Sequence, residues 1–265
     1  MRVKPVVKVL RYSDPDRRML AKNAAVFLGK DDEENIRRPL TLLRKKHKSI
    51  FRGENIDFEF FASKPVYDHL ITYTTQQRRA CAGLRANRAG DFVVPLEVEG
   101  TDLGRIINQT GQRHLEDYHS LIDGVDPETQ DPTQKARLQA ARSVAPIGVT
   151  LHFTFQFNFL TLMEAIFPQR IWEPGAQPDT QEIAQMMWEA VRPYDPDLWD
   201  TAWDVFGPEA ILWDKLRHVL KKKRVSVGEL YTELKAFIES EDGDADVLLE
   251  EYLRQRFGPK GSMWE

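Results

Sequence analysis

From Val149 to Asn158 the chain alternates without a break: Val149, Leu151, Phe153, Phe155 and Phe157 are apolar, and Thr150, His152, Thr154, Gln156 and Asn158 can hydrogen-bond. A period of two over this length predicts a strand with one buried face and one polar face. The apolar run Phe159 to Phe167 that follows predicts a short helix, stopped by Pro168. Asp57 to Ala62 alternates in the same way and predicts a second strand, and Val3 to Leu10 reads as a strand near the N-terminus.

Between these runs the pattern is helical. Arg17 to Leu28 and Glu33 to Lys46 predict two helices separated by the polar turn Gly29-Lys30-Asp31-Asp32. Lys64-Pro65 opens a helix expected from Val66 to Arg79. Gly104 to Leu121 and Pro132 to Val144 are expected as helices joined by the acidic turn Asp123 to Asp131. Thr180 to Val191 predicts another, with Gln181, Glu182, Gln185 and Glu189 on its polar side. From Pro193 to Glu265 the chain reads as a helical tail. No repeat or low-complexity segment is evident.

Composition narrows the picture by exclusion. At 265 residues the chain is one large domain or two small ones, and its net charge of -4 points to neither nucleic acid nor a membrane surface. The longest apolar stretch is interrupted by Gln156, Asn158 and Glu164, so no transmembrane segment is expected. The N-terminus runs directly into a strand pattern without a secretory signal, and the single cysteine excludes an internal disulfide. Both suggest a cytoplasmic protein, with Cys81 expected as a small buried residue rather than a nucleophile.

The basic runs Arg44-Lys45-Lys46-His47-Lys48 and Lys221-Lys222-Lys223-Arg224 read as a solvated helix end and a solvated loop. No glycine-rich dinucleotide fingerprint, Walker loop or Gly-x-Ser-x-Gly elbow is present. The six histidines form no His-x-x-x-His pair, and His114 and His119 are five apart, so no metal site is expected.

Two segments carry candidate chemistry. Arg142 and Arg170 bracket the polar strand and its helix, an arrangement suited to something anionic, flat, or both. Thr74 to Arg88 leaves a helix and becomes a small-residue stretch with Arg78, Arg79, Arg85 and Arg88. There Gly83 and the alanines let backbone amides approach a ligand while the arginines offer bidentate donors to phosphate.

In order along the chain, these pieces resemble the flavin-dependent thymidylate synthases, the ThyX family. The resemblance is carried by His47, Phe58-Glu59-Phe60 and Pro65, then by Arg142-Ser143-Val144-Ala145-Pro146, Asn158, Arg170 and Ala176-Gln177 through Glu182. Thr74-Thr75-Gln76 stands where the family has Arg-His-Arg, and Ala86-Asn87-Arg88 stands in for its Ser-x-Arg loop. Arg78 and Arg79, one turn further on, are candidates to supply the missing cations, and Glu164 occupies a position where the family has Asn near the flavin. These departures resemble a divergent branch, the UMP/dUMP C5-methylases of nucleoside antibiotic pathways.

What the resemblance implies is an α/β (α+β) subunit with a twisted, mostly antiparallel sheet flanked by helices. It also implies a homotetramer with active sites between subunits. A catalytic domain is expected over residues 1 to 200, with a helical C-terminal extension, 201 to 265, packed on it. The implied chemistry is C5-methylation of UMP or dUMP, with FAD reduced by NADPH and methylenetetrahydrofolate as carbon donor. On this reading Arg85, Ala86, Asn87, Arg88 and Arg142 bind the nucleotide, with Arg88 and Arg142 as phosphate clamps. Arg170 faces the uracil carbonyls as the catalytic cation. His47, Ser49, Thr74, Thr75, Gln76, Arg78, Arg79, Asn158 and Glu164 line the cofactor side. Two alternatives stay open: a strict dUMP thymidylate synthase, and an inactive homologue that still binds nucleotide or flavin.

Overall fold

A computed structural model describes residues 3–31, 34–73, 78–82, 89–126, 130–173, 175–223 and 226–240, with 248, 251–252 and 254–255 near the C-terminus. The chain forms two compact units, residues 1–206 and 207–265. The first is built on a four-stranded antiparallel sheet in the order β1-β2-β4-β3. Its strands are β1 (Val6–Tyr12), β2 (Asn55–Ser63), β3 (Arg79–Cys81) and β4 (Thr150–Asn158).

The two strands with the clearest alternation lie side by side at the centre. Ile56 pairs with Phe157, Phe58 with Phe155, Phe60 with Phe153 and Ala62 with Leu151, and none of these is more than 7% exposed. Each fully buried Phe there contributes about 1.5–3 kcal/mol by leaving water. Register is thereby fixed, since a slip of one residue would turn the whole Phe set to the other side. That other side is polar: Glu59 accepts a hydrogen bond from His152 Nε2 (2.9 Å), and Gln156 Nε2 donates to Asp57 (2.6 Å).

Helices cover the Phe face. Following α1 (Arg18–Phe27) and α2 (Arg38–Arg44), α3 (Lys64–Ile71) sets the Tyr67 ring 5.1 Å from Phe153 and 5.3 Å from Phe155. A second layer holds α4 (Asp102–Leu121) against α5 (Pro132–Ala141). Strand β4 passes directly into α6 (Phe159–Thr161), whose start is capped by Asn158 Oδ1 accepting from Thr161 N at 2.7 Å. Then come two π-helical turns, Leu162–Ile166 and Pro168–Trp172. Helix α7 (Pro178–Val191) packs along β1 and α3, and α8 (Pro196–Lys223) spans the boundary between the units. The second unit contains α9 (Val227–Ser240), where Tyr252 donates to Glu233 at 2.7 Å.

The α+β class matches the expectation, as do both long strands, but several local expectations are corrected. The helix expected over 33–46 is only Arg38–Arg44, because Pro39 can be tolerated only in a first turn. The helix expected to reach Arg79 ends at Ile71, and Arg79 lies in β3, paired with Phe155. Pro168 does not stop the chain's helical path. A proline lacks an N–H and crowds the carbonyl four residues back; the wider π turn relieves both, with Glu173 N bonded to Pro168 O at 2.7 Å. Cys81, expected buried, is exposed, since it belongs to an edge strand whose three residues all face solvent. No helix among the described residues is long and apolar enough to cross a membrane.

Candidate active site

The edge strand β3 is the frame of the candidate site. It is held by main-chain pairing alone: Gln156 N donates to Arg78 O (2.9 Å) and Ala82 N donates to His152 O (2.9 Å). Residues 83–88 follow, and the chain is anchored again at Ala89. There Tyr118 Oη accepts from the Ala89 amide at 3.2 Å, while His119 Nε2 donates to the Ala89 carbonyl at 3.2 Å. The next turn is locked by Phe92. Its ring sits where a Cβ on either Gly111 or Gly148 would come within 2.6 Å, so both positions require glycine for close approach. Both flanks of the arginine-bearing stretch are therefore fixed by α4 and β4.

Arg170 rides on the second π turn. Its Nε is buried and has no hydrogen-bond partner among the described residues, and its guanidinium carbon lies 5.5 Å from the centre of the Tyr73 ring. Tyr73 donates its hydroxyl to Gln169 Oε1 at 2.8 Å. One turn earlier on α3, His69 Nδ1 is 2.7 Å from Oγ1 of the fully buried Thr180 on α7. Burial, and then the Arg170 charge, push the His69 pKa down. Burial pushes the Tyr73 phenol up, against the Arg170 charge. A buried cationic donor left unsatisfied costs free energy in a folded chain, and such groups mark ligand sites. Tyr73, Gln169 and Arg170 thus form one polar cluster in which the Arg170 Nε alone is left without a partner, with His69 and Thr180 paired one turn earlier on α3.

A second cluster lies where β2 begins and β4 ends. The turn Ser49–Arg52 packs against α6, and Lys48 forms an ion pair with Glu164 while its ammonium sits 5.4 Å from the Phe206 ring centre. His47 stacks at a tilt on Phe27, 5.5 Å between ring centres.

Residues 8–197 match the family described as thymidylate synthase complementing protein. The chain belongs to this family. Among solved structures it is similar to that of a UMP/dUMP methylase, PolB from Streptomyces cacaoi, bound with 5-Br dUMP. The two are 19% identical, with a TM-score of 0.60, over 79% of this chain and 98% of that one, a likeness of fold. No curated protein matches the chain.

Within this Thy1 fold the site residues expected from sequence fall into three groups. Thr74, Thr75, Gln76, Arg85, Ala86, Asn87 and Arg88 lie outside the described residues. Arg170 lies on the second π turn beside Tyr73, while Arg78 and Arg79 are exposed at the sheet edge. His47, Ser49, Asn158 and Glu164 gather at the β2–α6 end, where Asn158 spends its carbonyl oxygen on the helix cap and Glu164 is neutralised by Lys48. Arg142 stands elsewhere, exposed at the C-cap of α5. Sequence reasoning missed His69, Tyr73, Gln169 and Thr180. The signal available was the four-residue spacing of His69 and Tyr73, which puts both on one helix face next to the arginine stretch. No cluster of potential metal ligands exists among the described residues.

Proposed function

We propose that the protein is a flavin-dependent C5-methylase of a uridine monophosphate, acting on UMP, dUMP or both. The observation that carries this reading is Arg170, whose buried Nε has no hydrogen-bond partner among the described residues. At the half-buried π turn, such a donor binds a ring carbonyl or a ring anion more strongly than it would in water. It would stabilise the negative charge that develops on the uracil when C5 acts as the nucleophile. Tyr73 limits the side chain to one face by stacking beneath the guanidinium. Arg142, exposed and without a partner among the described residues, suits the nucleotide phosphate.

The residues also fit FAD. Arg78 and Arg79 present two exposed cations at the edge of β3, the chemistry that a pyrophosphate requires, in place of the Arg-His-Arg triplet. Lys48 cancels the Glu164 charge at the other end, so an anionic cofactor would not meet an unpaired carboxylate. When bound, the flavin supplies the reducing equivalents, drawn from NADPH, that complete methyl transfer from methylenetetrahydrofolate. A homotetramer with active sites between subunits belongs to the same reading. So does a cytoplasmic setting, which the exposed free thiol of Cys81 suits.

The test is one competition reaction. Purified protein receives FAD, NADPH, methylenetetrahydrofolate and equal UMP and dUMP, and the products are weighed by mass spectrometry. A methyl group on UMP establishes the broader methylase, and methylation of dUMP alone makes the protein a thymidylate synthase. Protein that binds flavin and nucleotide but methylates neither refutes the catalytic reading.

A further inference from the structure

Gln169 precedes Arg170 on the second π turn and is exposed, and an exposed glutamine can satisfy its amide with water. Here it has a fixed partner instead. Its Oε1 lies 2.8 Å from the hydroxyl of Tyr73, 96 residues away in sequence, just past the end of α3. The π turn makes this meeting possible. A π-helix turns less per residue than an α-helix, so consecutive side chains project closer to one side. Gln169 and Arg170 therefore reach the same ring, the first at its hydroxyl and the second with its guanidinium carbon 5.5 Å from the ring centre. Tyr73 is itself anchored, its amide donating to Leu70 O at 3.1 Å.

The hydrogen-bonding capacities of the three groups fix the direction of the relay. A guanidinium only donates, a carboxamide oxygen only accepts, and a phenol has one proton to give and lone pairs to receive. Burial raises the Tyr73 pKa, so the phenol keeps its proton. That proton goes to Gln169 Oε1, and the phenol oxygen is left to accept from the Arg170 side chain. The opposite orientation of the amide would aim an NH2 group at the same lone pairs and compete with Arg170 for them. With the carboxamide oxygen facing Tyr73, the guanidinium is engaged through the phenol, while its buried Nε has no hydrogen-bond partner among the described residues.

We propose that Gln169 is a positioning residue for Arg170: by taking the Tyr73 proton it makes the phenol oxygen an acceptor for the guanidinium, and so fixes the orientation in which Nε meets the uracil ring. Gln169 touches no reacting atom and acts only through Tyr73. Without an acceptor at position 169 the phenol proton is free to turn toward the guanidinium, and the hydroxyl no longer holds it. This inference rests on the reading of Arg170 as the uracil-facing cation and adds to it the two residues that aim it.

The experiment compares three variants of the full-length protein with wild type. Gln169→Met matches the side chain in length but offers no oxygen, Gln169→Glu keeps an acceptor at the same atom, and Tyr73→Phe keeps the ring without its hydroxyl. Turnover of UMP and dUMP is measured with FAD, NADPH and methylenetetrahydrofolate, and nucleotide affinity is measured separately by calorimetric titration. Gln169→Met is expected to lose about 10- to 100-fold in kcat, the cost of a misaligned catalytic group, with little change in nucleotide affinity. Gln169→Glu should recover most of that loss. The double variant of Gln169→Met with Tyr73→Phe should be no slower than Tyr73→Phe alone, because the glutamine acts only through the phenol. Wild-type kcat in Gln169→Met, no recovery in Gln169→Glu, or losses that multiply in the double variant would each overturn the role of Gln169 and leave the proposed function standing. Folded wild-type protein that methylates neither nucleotide overturns both.

Discussion

Arg170 supplies the sharpest test, because its two roles pull stability and function in opposite directions. Replacement by Met keeps an unbranched apolar stem in the π turn and removes the guanidinium. Leaving a buried donor unsatisfied costs roughly 1–3 kcal/mol, and removal of the group recovers that cost. Against this stands what Tyr73 gives the guanidinium, its ring at 5.5 Å and its hydroxyl as a hydrogen-bond partner, together about 0.5–1 kcal/mol at a half-exposed position. The difference leaves Arg170→Met more stable than wild type by about 1 kcal/mol, or about 2–4 °C in Tm for a unit of this size. Nucleotide binding and turnover should collapse together in the same variant, because the donor is the one reserved for the ligand. Thermal melts without ligand, followed by the tryptophans packed around this helix, give the stability. The aromatic cluster is well placed for it, with Trp172 lying 5.5 Å from Trp188 and 5.2 Å from Trp203. A variant that melts several degrees lower, or that still binds nucleotide with unchanged affinity, would refute the argument that the cost at Arg170 is kept for function.

Three further outcomes are expected. Arg142→Ala should weaken nucleotide binding about 10- to 100-fold, the worth of a charge-assisted hydrogen bond, while an exposed C-cap residue changes the melting temperature little; unchanged affinity in a titration removes Arg142 from the site. Asn158→Ala should cost about 1 kcal/mol through loss of the cap bond to Thr161, seen as a lower denaturation midpoint before any cofactor is added; an unshifted midpoint would mean the cap contributes nothing. Asp195, ion-paired with Arg17 at 2.8 Å and only 3% exposed, has its carboxyl raised by burial to about 6. The proton is thus held more tightly in the fold than in the unfolded chain, and stability falls as pH rises from about 4 to 6, by on the order of 3 kcal/mol. Asp195→Asn should lack that fall, and parallel urea profiles for variant and wild type across this range would sink the assignment.

The parts of this molecule that could be read from sequence are those in which one residue's surroundings are supplied by its neighbours two or four positions away. Strands β2 and β4 announce themselves because Phe58, Phe60, Phe153, Phe155 and Phe157 share a face through their own spacing, and the pairing in the sheet only brings the two faces into register. Strand β3 was illegible for the opposite reason. Its three residues are exposed and carry no alternation, and they become a strand only because β4 offers an edge beside Phe153 and Phe155. The π turns were likewise hidden, since Pro168 reads as a stop unless one knows that Phe167 and Trp172 are clamped among Trp188 and Trp199, which holds the helix on course past it. The site shows the same division. Arg170 was visible as a cation after a helix, but its meaning depends on what it does not touch, and no spacing encodes that. His69 and Thr180 are 111 residues apart, and neither is unusual alone. Only the packing of α3 on α7 makes them a pair. What packing adds to local sequence rules in this fold is concentrated in the π-distorted helix that carries Arg170.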